Sequence, residues 1–149
     1  MLRKDAADAL ENMFAAAKKE GLELTAVSGY RSYKRQKSLH DTYVRRQGKA
    51  EADSVSAIPG TSEHQTGLAV DVFNNKEKYT DFHLTNEFIW MNEHAKEYGF
   101  ILRYPPAKTD ITGIIYEPWH YRYVGVEDAE KIMSLNVTLE EYLEQYYQK

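Results

Sequence analysis

The sequence has no cysteine in 149 residues. Disulfides, thiolate nucleophiles and thiolate-held metals are therefore excluded, and any metal must be held by nitrogen and oxygen; the redox compartment stays open. There is no apolar run of the roughly 18 residues that a spanning helix needs, and no signal peptide, so the chain as given is expected neither to span a membrane nor to export itself. Basic residues are outnumbered, 19 against 23 acidic, and the formal charge of −4 argues against a nucleic-acid partner. The one locally basic stretch is Lys34 to Arg46. Internal repeats, low-complexity tracts and an interdomain linker are also lacking. A chain of this length reads as one domain, residues 1–149, able to bury roughly two thirds of the surface its unfolded form exposes.

What is present is a succession of helices and short strands. Ala6, Leu10, Met13, Phe14 and Ala17 recur at helical spacing before Gly21. Leu22 to Val27 alternates as a short strand, and Ser32 to Gln47 predicts a helix with an apolar face of Tyr33, Leu39, Tyr43 and Val44. Lys49 to Thr61, without periodicity and with Pro59 and Gly60, reads as a loop. Leu68 to Phe73 alternates cleanly and predicts a strand; Asn74 to Phe82 reads as a polar loop, and Phe88, Met91, Ala95 and Tyr98 mark a helix stopped near Gly99. Strands are expected at Phe100 to Tyr104, Gly113 to Tyr116 and His120 to Val124. Thr138 and Glu141 form a capping box for a last helix with Leu139, Tyr142, Leu143 and Tyr146 on one face. Helices mixed with non-adjacent short strands indicate an α+β fold.

The stretch Ser62 to Val72, SEHQTGLAVDV, carries the first chemical signal. On a continuous strand His64 and Asp71, seven positions apart, would point to opposite faces. If Ser62 to Thr66 is a loop or one helical turn and the strand begins after Gly67, His64 can return towards Asp71, and small Ala69 leaves room beside the carboxylate. The plainer alternative is a Ser62 cap with Gln65 as its partner, an exposed His64 and an Asp71 on a wet face. A second segment, YEPWHYRYVG, places Glu117 and His120 at a strand break held by Pro118. Two histidines and one carboxylate make a catalytic zinc set, with Glu117 as a separate base. Its alternative is an edge strand with Glu117 paired to Arg122. His40, His83 and His94 are expected not to ligate metal.

Arg31, in SGYRS just after a strand, either binds a substrate carboxylate or an oxyanion through its fork of donors or makes a surface salt bridge. Gln36 is either a substrate donor or a solvated helical residue. Ser62 is a cap, a carboxylate-binding hydroxyl, or both.

SGYRS at 28–32 with Gln36, SEHQTGLAVD at 62–71, YGFILRYP at 98–105 and ITGIIYEPWHYRYVG at 111–125 together resemble, in order and over nearly the whole chain, the VanY-type zinc D,D-carboxypeptidases of bacterial cell-wall metabolism. The resemblance extends to the LdcB-like L,D-carboxypeptidases and the bifunctional D,D-dipeptidase/carboxypeptidases. It implies a small α+β zinc-peptidase fold, shared with the hedgehog-type domain, with the metal over a central antiparallel sheet flanked by helices. It implies Zn2+ held by His64, Asp71 and His120, Glu117 as catalytic base, Arg31 assisting substrate and transition-state charge, and Ser62 receiving the terminal carboxylate.

The reaction so implied is hydrolysis of the C-terminal D-alanine from a peptidoglycan stem peptide or precursor by zinc-activated water, with no acyl-enzyme. D,D cleavage is the first expectation and L,D cleavage of tetrapeptide stems the second, with Ala50 to Gly60 and Tyr79 to Leu84 expected to line the deciding region. A peptidoglycan endopeptidase and a noncatalytic cell-wall-binding module are the remaining alternatives. The protein is expected to be a monomer at the cell envelope, with an N-terminal anchor outside this sequence, or else a cytoplasmic enzyme.

Overall fold

Four short strands, β1 (Thr25–Ser28), β2 (Ala69–Phe73), β3 (Phe100–Leu102) and β4 (His120–Tyr123), form one antiparallel sheet in the order β1-β2-β4-β3. The computed structural model describes residues 1–74, 76 and 79–146; positions 75, 77 and 78 of the expected polar loop, and residues 147–149, lie outside the described residues. Around the sheet stand α1 (Lys4–Lys19), α2 (Tyr33–Gln47), α3 (Lys49–Val55), α4 (Asn86–His94), the short turn α5 (Thr109–Thr112), α6 (Val126–Leu135) and α7 (Leu139–Tyr146). This is the expected α+β arrangement of a central antiparallel sheet flanked by helices.

The main core lies between α1, α4 and one face of the sheet. The stripe Ala6, Leu10, Met13 and Ala17 of α1 is buried, and Leu10, Met13 and Ala17 join Val70, Val72, Met91, Phe100 and Tyr121 in one cluster. Each large apolar side chain of this kind contributes roughly 1.5–3 kcal/mol on burial. β2 is central in the sheet and all five of its residues are buried, so the alternation read in the sequence separates two buried faces rather than a wet one from a dry one. The second face carries Ala69 and Asp71, and Asp71 opens onto a cavity. A smaller cluster of Ile101, Ala129, Ile132 and Tyr142 docks α6 and α7 beneath β3.

Several expectations are corrected. The first strand starts at Thr25 rather than Leu22. In α2 the fully buried face is polar, Gln36 and His40, while Tyr33 is exposed; His40 Nε2 bonds Asp53 Oδ1 at 2.9 Å, tying α2 to α3. Apolar spacing misled there because the helix packs against another polar element, not against the core. Lys49 to Val55 is helical rather than a loop, and a two-turn helix that buries only Ala52 has no stripe to show. Gly113 to Tyr116 pairs with no strand and runs as a loop whose Ile115 N donates to Ser54 O at 3.4 Å. The helix α6 was not anticipated; its inner face is only Ala129 and Ile132. α7 has its capping box, with Thr138 N donating to Glu141 Oε2 at 2.7 Å and Glu141 N to Thr138 Oγ1 at 3.2 Å, but of its expected face Tyr142 is buried while Leu143 and Tyr146 are exposed.

Candidate metal centre

Asp71 and His120 are direct register partners across β2 and β4, which puts their side chains adjacent on one face of the sheet. Asp71 Oδ1 lies 3.1 Å from His120 Nδ1. His64 comes from outside the sheet. Glu63–Thr66 is a single 3-10 turn closed by Gly67 at φ 72°, and this reversal returns His64 Nε2 to within 3.4 Å of Asp71 Oδ2. Gly67 also has backbone against it, since a Cβ there would sit 3.2 Å from Arg3 N. His64 Nδ1 lies 2.7 Å from Gly29 O, which orients the ring and leaves Nε2 turned inward.

His64, Asp71 and His120 are all buried, and their ligating atoms lie within 4.8 Å of one another. They are the one such cluster found among the described residues. Two imidazoles and a carboxylate, with no sulfur, suit a borderline divalent metal that accepts nitrogen and oxygen. His120 faces Asp71, Glu63 and, at 3.7 Å, Glu117; although burial disfavours its charge, hydrogen bonds to Asp71 and Glu63 hold its pKa up at about 9. Burial likewise opposes the Asp71 carboxylate but is outweighed by His120 and His64, which hold it well below the usual carboxylate range.

Glu117 is oppositely tuned. Burial, reinforced by the nearby Asp71 charge and opposed by His120 and Arg31, pushes its carboxyl up to about 7. It does not pair with Arg122, which instead donates to Glu63 Oε1 at 2.9 Å. Arg31 is partly buried at the same cavity. Its Nη1 donates to Gln36 Oε1 at 2.8 Å, its Nη2 to Ser28 Oγ at 3.0 Å, and Nη2 stands 3.7 Å from Asp71 Oδ2. Gln36 is fully buried and its amide nitrogen donates to Ala57 O at 2.7 Å and Ser56 Oγ at 3.2 Å, so in this geometry it braces Arg31 from behind. Ser62 is buried at the cavity wall and makes no side-chain cap on the following turn.

These groups share a cavity of about 390 Å³. Its lining combines polar groups, Arg31, Ser62, Glu117 and the His/Asp cluster, with apolar ones, Leu39 and Tyr43 of α2, Val55 of α3, and Ile114 and Ile115. Of the two segments expected to line it, Ala50 to Gly60 supplies Val55, Ser56 and Ala57, whereas Thr80 to Leu84 does not reach the wall. His40, His83 and His94 stand apart from the cluster, as expected, with Nε2 of His40 on Asp53, Nδ1 of His83 on Thr80 O and Nδ1 of His94 on Glu97. Sequence reasoning passed over Glu63. The partners that hold it, Arg103, His120 and Arg122, are distant in sequence, and Arg122 alone did not distinguish Glu63 from Glu117 as its carboxylate.

Residues 1–126 match the family model for VanY, D-alanyl-D-alanine carboxypeptidase. The chain belongs to this family. YodJ of Bacillus subtilis (strain 168) is 53% identical over 146 residues, covering 96% of this chain and 54% of YodJ. Among solved structures, the LdcB LD-carboxypeptidase superposes with a TM-score of 0.90 at 53% identity, over 96% of this chain and 68% of that one. VanYB in complex with D-alanine-D-alanine superposes with a TM-score of 0.87 at 41% identity, over 97% and 83%. The VanY fold is thus present across nearly the whole chain, which spans about half the length of most of the curated relatives it matches.

Proposed function

We propose that this VanY-family chain is a zinc-dependent carboxypeptidase that removes the C-terminal D-alanine from a peptidoglycan stem peptide. The observation that carries the reading is the buried His64, Asp71, His120 cluster with Glu117 3.7 Å from His120, in one cavity with Arg31 and Ser62. His64, Asp71 and His120 would hold the metal. Zinc supplies Lewis acidity, polarising the scissile carbonyl and making water more acidic.

The remaining work falls to the chain itself. Glu117, with a pKa raised by burial, accepts a proton from the attacking water and passes it to the departing amine of D-alanine. Arg31, held from two sides by Gln36 and Ser28, offers fixed positive charge to the substrate carboxylate and to the oxygen that becomes negative as the carbonyl turns tetrahedral. Because its geometry is set beforehand, little reorganisation is needed as charge develops. The Ser62 hydroxyl, at the same wall, is assigned to the terminal carboxylate. The apolar lining residues of the same cavity receive the aliphatic part of the stem peptide.

The 53% identity to the LdcB LD-carboxypeptidase supports L,D cleavage, while the VanY family match and the 41% identity to VanYB support D,D cleavage; we take the L,D reading first. The D,D expectation rests on the likeness of the LEEYLEQY segment and of the RYP, ITG and EPWH arrangement to the bifunctional members, of which the arrangement is common to the wider family. Incubation with a tetrapeptide stem ending in an L-centre followed by D-alanine, and with a pentapeptide ending in D-alanyl-D-alanine, tests this directly. Faster D-alanine release from the tetrapeptide is expected; faster release from the pentapeptide would return the assignment to D,D.

A further inference from the structure

The two histidines of the metal centre are anchored differently. His64 is oriented by a neutral backbone acceptor, Gly29 O, 2.7 Å from Nδ1, and turns Nε2 towards Asp71. His120 has the opposite ring orientation: Nδ1 faces Asp71 Oδ1 at 3.1 Å, so only Nε2 remains to fix the ring. The acceptor facing that nitrogen is Glu63 Oε2, at 3.4 Å.

Glu63 is itself held with little freedom. Its side chain is 12% exposed, and its Oε1 accepts from both Arg103 Nε at 2.8 Å and Arg122 Nη1 at 2.9 Å. Both arginines thus use one oxygen and leave Oε2 for His120. Arg103, just beyond β3, then forks onto Glu140 of α7, with Nη1 to Oε2 at 2.9 Å and Nη2 to Oε1. Two carboxylates and two guanidinium groups balance each other in charge, so the contact of Glu63 with His120 is not needed for neutrality. A continuous chain of polar contacts therefore runs from His120 through Glu63 and Arg103 to the C-terminal helix.

We infer that Glu63 is a positioning residue for the metal ligand His120, and that α7, through the Glu140 to Arg103 fork, holds Glu63 in place. The inference rests on the metal-site reading above. A carboxylate accepting from the distal N–H of a ligating imidazole fixes its tautomer and ring orientation and strengthens it as a ligand. α7 would thereby contribute to metal affinity without touching the metal centre.

The test is zinc affinity of the full chain by competition with a chelator, for wild type, His64→Ala, Glu63→Gln and Glu140→Gln. Glu63→Gln is expected to weaken zinc about 10- to 100-fold, and Glu140→Gln to weaken it in the same direction by a smaller factor. Melting temperature with and without saturating zinc separates positioning from a structural role. Loss of a structural ion pair lowers both values alike and leaves the zinc-induced increment intact, whereas loss of positioning shrinks the increment. Zinc affinity within about twofold of wild type, with an unchanged increment, overturns the inference. Should Glu63→Gln fail to fold, Glu140→Gln, which alters a partly exposed carboxylate, is judged by the same two readouts. If wild type takes up no zinc that His64→Ala abolishes, the metal reading falls and the inference with it; if wild type binds and Glu63→Gln keeps full affinity, the inference alone falls.

Discussion

Asp71 and His120 face each other as register partners on neighbouring strands, 3.1 Å apart, so the hydrogen-bonding of β2 to β4 itself assembles two of the three candidate metal donors. Only His64 has to be delivered by a turn. Replacing His64 or His120 with Ala is therefore expected to abolish stoichiometric zinc while leaving the sheet folded. Metal analysis with circular dichroism checks this; one equivalent of tightly bound zinc in either variant would contradict it.

Glu117 sits 3.7 Å from His120, outside the His64, Asp71, His120 cluster. Glu117→Gln is expected to keep zinc and to lower kcat by at least about 100-fold, as for loss of a positioned acid/base group. Full zinc with wild-type turnover would remove Glu117 from the mechanism.

The pH dependence has a definite sign. A base works only when deprotonated, and burial pushes the Glu117 carboxyl up to about 7 in the metal-free protein. A bound divalent cation favours the carboxylate, so the limb moves down from there. kcat/KM is expected to rise with pH along an acid limb whose apparent pKa lies below 7. A profile flat down to pH 4, with zinc still bound, would contradict the assignment.

Much of the centre was legible because its parts are local in sequence. SEHQTG already contains the turn, the candidate ligand His64 and the glycine that reverses the chain, and EPWH contains the proposed base and the third candidate ligand. The walls were harder. α3 buries one alanine, and the 113–116 loop is tied to α3 by the backbone bond from Ile115 N to Ser54 O while Ile114 and Ile115 stay only partly covered at the cavity wall, so neither shows a period. The solvated alternative for Gln36 fails, and nothing local reveals why, since its amide nitrogen is bonded to Ser56 and Ala57, about 20 residues away, while the residue itself lines the cavity. Glu63 was missed for the same reason, since its partners Arg103, Arg122 and His120 all lie 40 or more residues on.

Gly67 carries a stability prediction. At φ 72° an L side chain is strained, and a Cβ would press on the Arg3 backbone at 3.2 Å. Gly67→Ala is expected to destabilise the protein by about 1–2 kcal/mol and to displace His64, weakening zinc as well. Denaturant unfolding and zinc competition measure the two effects; an unchanged midpoint would show that the turn tolerates the methyl group.

The account is tested most directly by quantifying D-alanine released from matched tetrapeptide and pentapeptide stems by the zinc-loaded protein, the chelator-treated protein and Glu117→Gln. The predicted result is release by the zinc-loaded protein, greater from the tetrapeptide, that chelation abolishes and zinc restores, with Glu117→Gln near background. Release that persists undiminished after chelation, or no D-alanine from either stem, would contradict it.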